Sequence, residues 1–143
     1  MTIARTAMVA VFLLISTPAF AEDNIFNRAF SYINLHEKAN NSQIRKVTKV
    51  NPARIPWCAA FVNGILNELG IRGTGSNAAI SFNKYKTPTK NPTKGDIVVF
   101  RHHVGFFQGF SGNRVAVLGG NQSNKVKVSY FSKSSVISYR KVS

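Results

Sequence analysis

The chain contains a single cysteine, and the position of this residue favours nucleophilic chemistry. Cys58 is the second residue of a predicted helix that follows Pro56. Unpaired backbone N–H groups and the helix dipole stabilise a thiolate there, and the thiolate is the reactive form of cysteine. A free cysteine is often only a small buried apolar residue, so position alone leaves a passive role open.

Two further side chains could complete a site for acyl transfer. His103 opens a predicted strand, where its imidazole could accept and return a proton. Asn121 ends the next strand after Gly119 and Gly120, and an asparagine can hold such an imidazole in place. Each residue also has an ordinary interpretation, His103 as one of two surface histidines with His102, and Asn121 as a turn residue.

The elements that must position these residues fit into one domain. With 143 residues and 44% apolar content, the chain can build one hydrophobic core and is too short for two. Apolar spacing predicts helices over residues 24–39, 57–69 and 78–85, with a short helical turn at 43–47. After Gly95 the period changes, and it predicts about five strands over residues 96–101, 103–110, 114–120, 125–131 and 136–140. We therefore expect an α+β fold with the helices on one face of a curled antiparallel sheet, and a linker without a core at 86–94.

The first 21 residues have the pattern of a secretory signal. Arg5 is the only charged residue among them, residues 7–15 are apolar, and Ala19-Phe20-Ala21 has the small-x-small pattern of a signal-peptidase site. The apolar run is too short for a stable membrane anchor. The sequence predicts cleavage after Ala21 and a single exported domain over residues 22–143, periplasmic or secreted. An uncleaved N-terminal anchor is the alternative.

The charge balance is strongly basic. The chain has 19 Lys and Arg residues against 5 Asp and Glu, and loss of Arg5 with the signal would lower the formal net charge from +14 to +13. Such a surface attracts polyanions, and for an exported protein the anionic cell envelope is the expected one. Nucleic-acid binding is less favoured, because Lys and Arg are spread over loops and form no stripe with interleaved aromatics.

Four segments of the chain carry a family resemblance. In order they are Pro56-Trp57-Cys58-Ala59-Ala60-Phe61-Val62-Asn63, Gly95-Asp96-Ile97-Val98-Val99-Phe100, His103-Val104-Gly105-Phe106 and Leu118-Gly119-Gly120-Asn121-Gln122-Ser123-Asn124. Together they resemble the small CHAP and NlpC-type cysteine amidohydrolase or peptidase domains, in the subgroup with WCAAFVN and GGNQSN segments. The resemblance covers most of residues 24–143.

This resemblance implies a papain-like fold and hydrolysis of peptidoglycan through an acyl-enzyme. The enzyme would be an N-acetylmuramoyl-L-alanine amidase or a stem-peptide endopeptidase. Carried over by motif, Cys58 is the nucleophile, His103 is the general base and acid, and Asn121 orients the imidazole, with Gln122 as the alternative. Trp57 and Gln122 are further candidates for contacts with the substrate or the oxyanion.

One departure from the family pattern leaves a second function class open. Many CHAP relatives have a Glu two residues before this Asn, whereas this chain has Gly119. A catalytically silent wall-binding module with the same fold is therefore the alternative to an enzyme. The expected partner is peptidoglycan or a muropeptide, with an inhibitor or immunity protein as well if the enzyme is an antibacterial effector.

No cofactor or metal is predicted from the sequence. One Cys and three His residues, two of them adjacent, have no recognised zinc-ligand spacing. His102 should point to the opposite face of an extended segment from His103, and it is predicted to be non-catalytic.

Overall fold

A computed structural model describes residues 18–143, and within these residues three α-helices precede a six-stranded sheet. The α-helices are α1 (Pro18–Phe30), α2 (Asn41–Thr48) and α3 (Cys58–Glu68). The strands are β1 (Thr87–Thr89), β2 (Ile97–Val99), β3 (Val104–Ser111), β4 (Arg114–Gln122), β5 (Lys125–Ser132) and β6 (Ser138–Lys141). Two short 3₁₀ helices, Ala79–Lys84 and Lys133–Ser135, lie before β1 and before β6.

The sheet is antiparallel throughout, and its strands are ordered β1-β6-β2-β3-β4-β5. Alternation along the strands sends side chains to two faces, and each face carries a cluster of buried apolar residues. The helices cover the face that carries Ile97, Phe106 and Leu118, whereas Phe107 and Val117 belong to a second cluster on the other face. The predicted α+β arrangement is confirmed.

Helix α3 lies in the centre of the core, and this is what fixes the position of Cys58. Every residue from Cys58 to Leu66 is buried. A Cβ on Gly64 would lie 2.3 Å from the carbonyl oxygen of Val47, so α2 can cross α3 closely only because this residue is glycine. The helix ends as predicted at a glycine, Gly70, which has a φ of 70°.

The first predicted helix is too long, because the chain leaves it to pair with the sheet. Helix α1 ends at Phe30, and Asn34 has a φ of 70°, which no helix accommodates. The backbone N–H of Asn34 donates to the carbonyl of Val126, and the N–H of Val126 donates to that of Leu35. The predicted helical residues 31–39 thus form turns and a short bridge beside β5 instead.

Three other sequence predictions need correction. The linker predicted at 86–94 contains β1, which pairs with β6 at the edge of the sheet and raises the strand number from about five to six. Thr87 and Pro88 are exposed, so this strand has no apolar alternation that a sequence pattern could reveal. The helix predicted at 78–85 is the 3₁₀ helix Ala79–Lys84, and the predicted turn at 43–47 is the full helix α2.

Most of the predicted signal segment, residues 1–17, lies outside the described residues. Helix α1 begins at Pro18, so cleavage after Ala21 would fall within it. Among the described residues, no helix combines the length and the apolar character needed to cross a bilayer.

Candidate active site

Cys58 is the first residue of α3, and its thiol is almost completely enclosed. Its exposed fraction is 5%. Burial raises the pKa of the Cys58 thiol above its ordinary value, although the backbone N–H groups of Val104, Ala59 and Cys58 itself favour the thiolate and oppose this rise. The resting side chain is therefore a neutral thiol near pH 7, and it needs a base to become a nucleophile.

His103 is the residue directly before β3, and β3 is the strand that contacts the cysteine. The N–H of Val104 reaches the Cys58 thiol, so the sulfur lies beside the residue that directly follows His103 in the chain. The imidazole packs against two phenyl rings, with centroid distances of 5.9 Å to Phe100 and 5.5 Å to Phe131. Burial lowers the pKa of His103, and the hydrogen bond that the ring makes to the Gln122 oxygen opposes this only in part, so the imidazole is neutral near pH 7.

Gln122, and not Asn121, makes the hydrogen bond to the imidazole. The distance from His103 Nε2 to Gln122 Oε1 is 2.8 Å. The side-chain N–H groups of Gln122 donate to the carbonyls of Val117 at 3.0 Å and Lys127 at 2.7 Å. Of the two orienting residues that the sequence left open, the structure brings the second into contact with His103.

A β-bulge explains this exchange. Phe106 pairs with Leu118, and continuation of that register would put Asn121 opposite His103. Between the pairs Gly119–Lys127 and Gln122–Lys125, however, β4 has one more residue than β5. The extra residue shifts the alternation by one and turns Gln122 toward the imidazole, while Asn121 adopts a φ of 58°.

The side chain of Trp57 belongs to the core, which corrects its prediction as a substrate contact. It has no exposed surface, its indole N–H donates to Glu37 Oε2 at 3.1 Å, and its ring packs edge-on against Phe61. Gln122 likewise cannot donate to an oxyanion, because both of its side-chain N–H groups are used by backbone carbonyls. The sequence pattern contains no signal for the Glu37 contact.

Two open clefts meet at His103 and Phe131, which line both. One, of about 280 Å³, is otherwise lined by Asn121, Gln122, Ser123 and Ser129. The other, of about 320 Å³, is otherwise lined by Phe100, Arg101, His102 and Ser135. His102 is exposed beside the second cleft. An extended substrate could therefore lie on both sides of the imidazole.

Acidic side chains are few, and three of them, Glu37, Glu68 and Asp96, are engaged within the fold. Glu37 accepts the Trp57 indole hydrogen bond, and Glu68 accepts one from the Tyr32 hydroxyl. The fully buried carboxylate of Asp96 forms an ion pair of 3.0 Å with Lys141.

Comparison with known protein families identifies the fold family. The model of the CHAP domain matches residues 50–121, just over half of the chain. The chain belongs to the CHAP domain family. CHAP domains are generally cysteine-dependent amidases or peptidases of peptidoglycan, which agrees with the Cys58 and His103 placement. The match ends one residue before Gln122. No curated protein and no solved structure shows significant similarity to the chain.

Proposed function

We propose that this CHAP domain is a cysteine-dependent amide hydrolase of peptidoglycan, acting as an N-acetylmuramoyl-L-alanine amidase or a stem-peptide endopeptidase. One observation carries the proposal: the backbone N–H of Val104 reaches the thiol of Cys58, so the start of α3 meets the strand that follows His103. His103 lines two open clefts, and the thiol lies beside the residue that follows His103 in the chain. Family membership supports the substrate class.

The reaction starts from a neutral thiol and a neutral imidazole. As Cys58 Sγ attacks the amide carbon, His103 accepts the thiol proton. In this mechanism the backbone N–H of Cys58 donates to the oxyanion, which is supported by its position in the first turn of α3, where N–H groups have no acceptor within the helix. The imidazolium then protonates the departing amine, and a thioester remains. Water, deprotonated by His103, attacks the thioester, releases the carboxylic acid and restores the thiol.

We also propose that the protein acts outside the cytoplasm, after cleavage behind Ala21. The pattern of residues 1–21 supports this, and so does the basic charge, which suits an anionic cell envelope. In this proposal the surface charge docks the enzyme on its polymeric substrate, whereas the partly buried Cys58–His103 pair performs the chemistry.

The experiment is digestion of purified sacculi by residues 22–143, with mass spectrometry of the released muropeptides. We expect new amine and carboxylate ends, between muramic acid and the peptide for an amidase, or within the peptide for an endopeptidase. Cys58→Ala and His103→Ala should each abolish release, while the matched control His102→Ala should retain it. Release at the wild-type rate by folded Cys58→Ala would refute the proposal.

A catalytically silent wall-binding module is the second candidate, and the enclosure of Cys58 favours it. A thiol with 5% exposure and a raised pKa is typical of an inert buried cysteine. Alkylation by iodoacetamide separates the two. An activated thiol loses reactivity when His103 is replaced, whereas an inert one reacts slowly in both forms. Sacculus binding without released fragments, unchanged in Cys58→Ala, would establish the binding module.

A further inference from the structure

We propose that Gln122 is the positioning residue of this site, which holds His103 as the tautomer with its proton on Nε2. The other ring nitrogen, Nδ1, is then the acceptor for the proton of Cys58. The catalytic consequence rests on the proposed hydrolase activity, whereas the tautomer itself does not. This role goes beyond the family match, which ends at Asn121.

The orientation of the Gln122 amide follows from its three partners. Its nitrogen lies 3.0 Å from the Val117 carbonyl oxygen and 2.7 Å from that of Lys127, and both of these groups only accept hydrogen bonds. A flipped amide would set an oxygen against two oxygens and leave both donors misplaced. The oxygen Oε1 must therefore face His103, which it approaches at 2.8 Å.

An amide oxygen only accepts, so the imidazole must be the donor in this contact. In a neutral imidazole one nitrogen carries the hydrogen and the other has a free lone pair. Because Nε2 donates to Gln122, Nδ1 is the basic nitrogen. Phe100 and Phe131 pack on the same ring, so the ring is also restrained from turning over.

Gly119 makes this contact possible. A Cβ at residue 119 would lie 2.5 Å from Gln122 Oε1 and 3.3 Å from His103 Nε2. The Gln122 amide thus occupies space that a side chain at 119 would need. Many CHAP relatives have a Glu at the position of Gly119. In this chain the polar partner of His103 is instead Gln122, three residues further along, and the bulge in β4 turns it toward the histidine.

A neutral amide differs from a carboxylate in what it does to the histidine. It orients the imidazole but adds no negative charge to stabilise the imidazolium, so burial is left to lower the pKa of His103. This suits a site whose resting pair is neutral. The cationic side chain nearest to it in sequence, Arg101, is exposed.

The test is ¹⁵N NMR of the histidine rings in residues 22–143, at a pH where His103 is neutral, with assignment by single replacement of each histidine. We expect one tautomer for His103, protonated on Nε2. Gln122→Leu removes the acceptor oxygen and should give a mixture of tautomers or a mobile ring. Thermal unfolding identifies variants that fail to fold.

Kinetics on soluble muropeptides supply the catalytic readout. Gln122→Leu should lower kcat by about 10- to 100-fold with little change in KM, a part of the effect of general acid–base catalysis.

Glycine substitutions provide a matched pair. Gly119→Ala should disturb the tautomer as Gln122→Leu does, whereas Gly109→Ala, in neighbouring β3 with nothing within 4 Å of the added Cβ, should not. A wild-type His103 protonated on Nδ1, or a Gln122→Leu variant with an unchanged tautomer and kcat, would overturn the proposal. The expected tautomer in a protein that releases no fragment would instead overturn the hydrolase activity alone.

Discussion

Replacing Gly120 with alanine tests how tightly strand β4 packs against α3, the helix that carries the cysteine. A Cβ at this position would lie 2.6 Å and 2.8 Å from two ring carbons of Trp57 and 2.8 Å from the Cβ of Phe61. Real Cβ contacts are longer than 3.0 Å, and both neighbours are fully buried, so the strand or the helix must move.

The cost follows from two opposing effects. Overpacking a core typically costs about 1–3 kcal/mol. A Gly-to-Ala change at a position without positive φ stabilises the folded state by about 0.4–1 kcal/mol through the unfolded chain. The expected net loss is therefore about 1–2 kcal/mol, which for a domain of this size lowers Tm by about 3–8 °C.

Thermal and urea unfolding of Gly120→Ala and Gly109→Ala measure this difference. Gly109 also lies in a strand, and an added Cβ there meets nothing within 4 Å, so the control should be neutral or slightly stabilised. Displacement of Trp57 should also change the alkylation rate of the adjacent Cys58 in the first variant only. Equal unfolding midpoints for the two variants would contradict the packing of Trp57 on β4.

Three further predictions concern pH, stability and salt. Phe131→Ser should admit water to the imidazole and raise the pKa of His103 toward its ordinary value. The acid limb of the pH profile of kcat/KM should then move to higher pH. An acid limb that stays in place or moves to lower pH would contradict the role of burial. Asp96→Ala breaks the ion pair with Lys141 and should lower the free energy of unfolding by about 3 kcal/mol in urea titrations. A loss below about 1 kcal/mol would mean that water solvates Lys141 as well as the carboxylate does. Sacculus binding should weaken as the salt concentration rises, because surface charges are screened over about 8 Å at physiological ionic strength. Turnover of soluble muropeptides should change far less. An equal salt dependence of binding and turnover would show that the basic surface takes part in the chemistry.

Local signals in the sequence predict the helix of the nucleophile correctly. Pro56 precedes α3, an unbroken set of core residues forms it, and Gly70 ends it with a left-handed φ. The strands after Gly95 were likewise predictable, because short runs rich in Val and Phe lie there between turn residues. These features depend on the residues of the element itself, so no distant contact was needed to infer them.

Elements without such a pattern were missed or misplaced. Strand β1 is exposed and gains its hydrogen bonds from β6, which lies some fifty residues later in the chain. Helix α1 stops at Phe30 although apolar spacing continues, because Asn34 and Leu35 exchange backbone hydrogen bonds with Val126. In both cases a remote partner decides the conformation.

The same distinction applies to the candidate active site. Its residue types, a lone cysteine at a helix start, a histidine at a strand start and an Asn-Gln pair after two glycines, are determined by the sequence. Which of Asn121 and Gln122 reaches His103 is decided only by the tertiary structure. One extra residue in β4 reverses which side chains face the imidazole, and the space for the chosen one exists because Gly119 has no side chain. Strand register depends on pairing between distant segments, and no local pattern reports where it shifts.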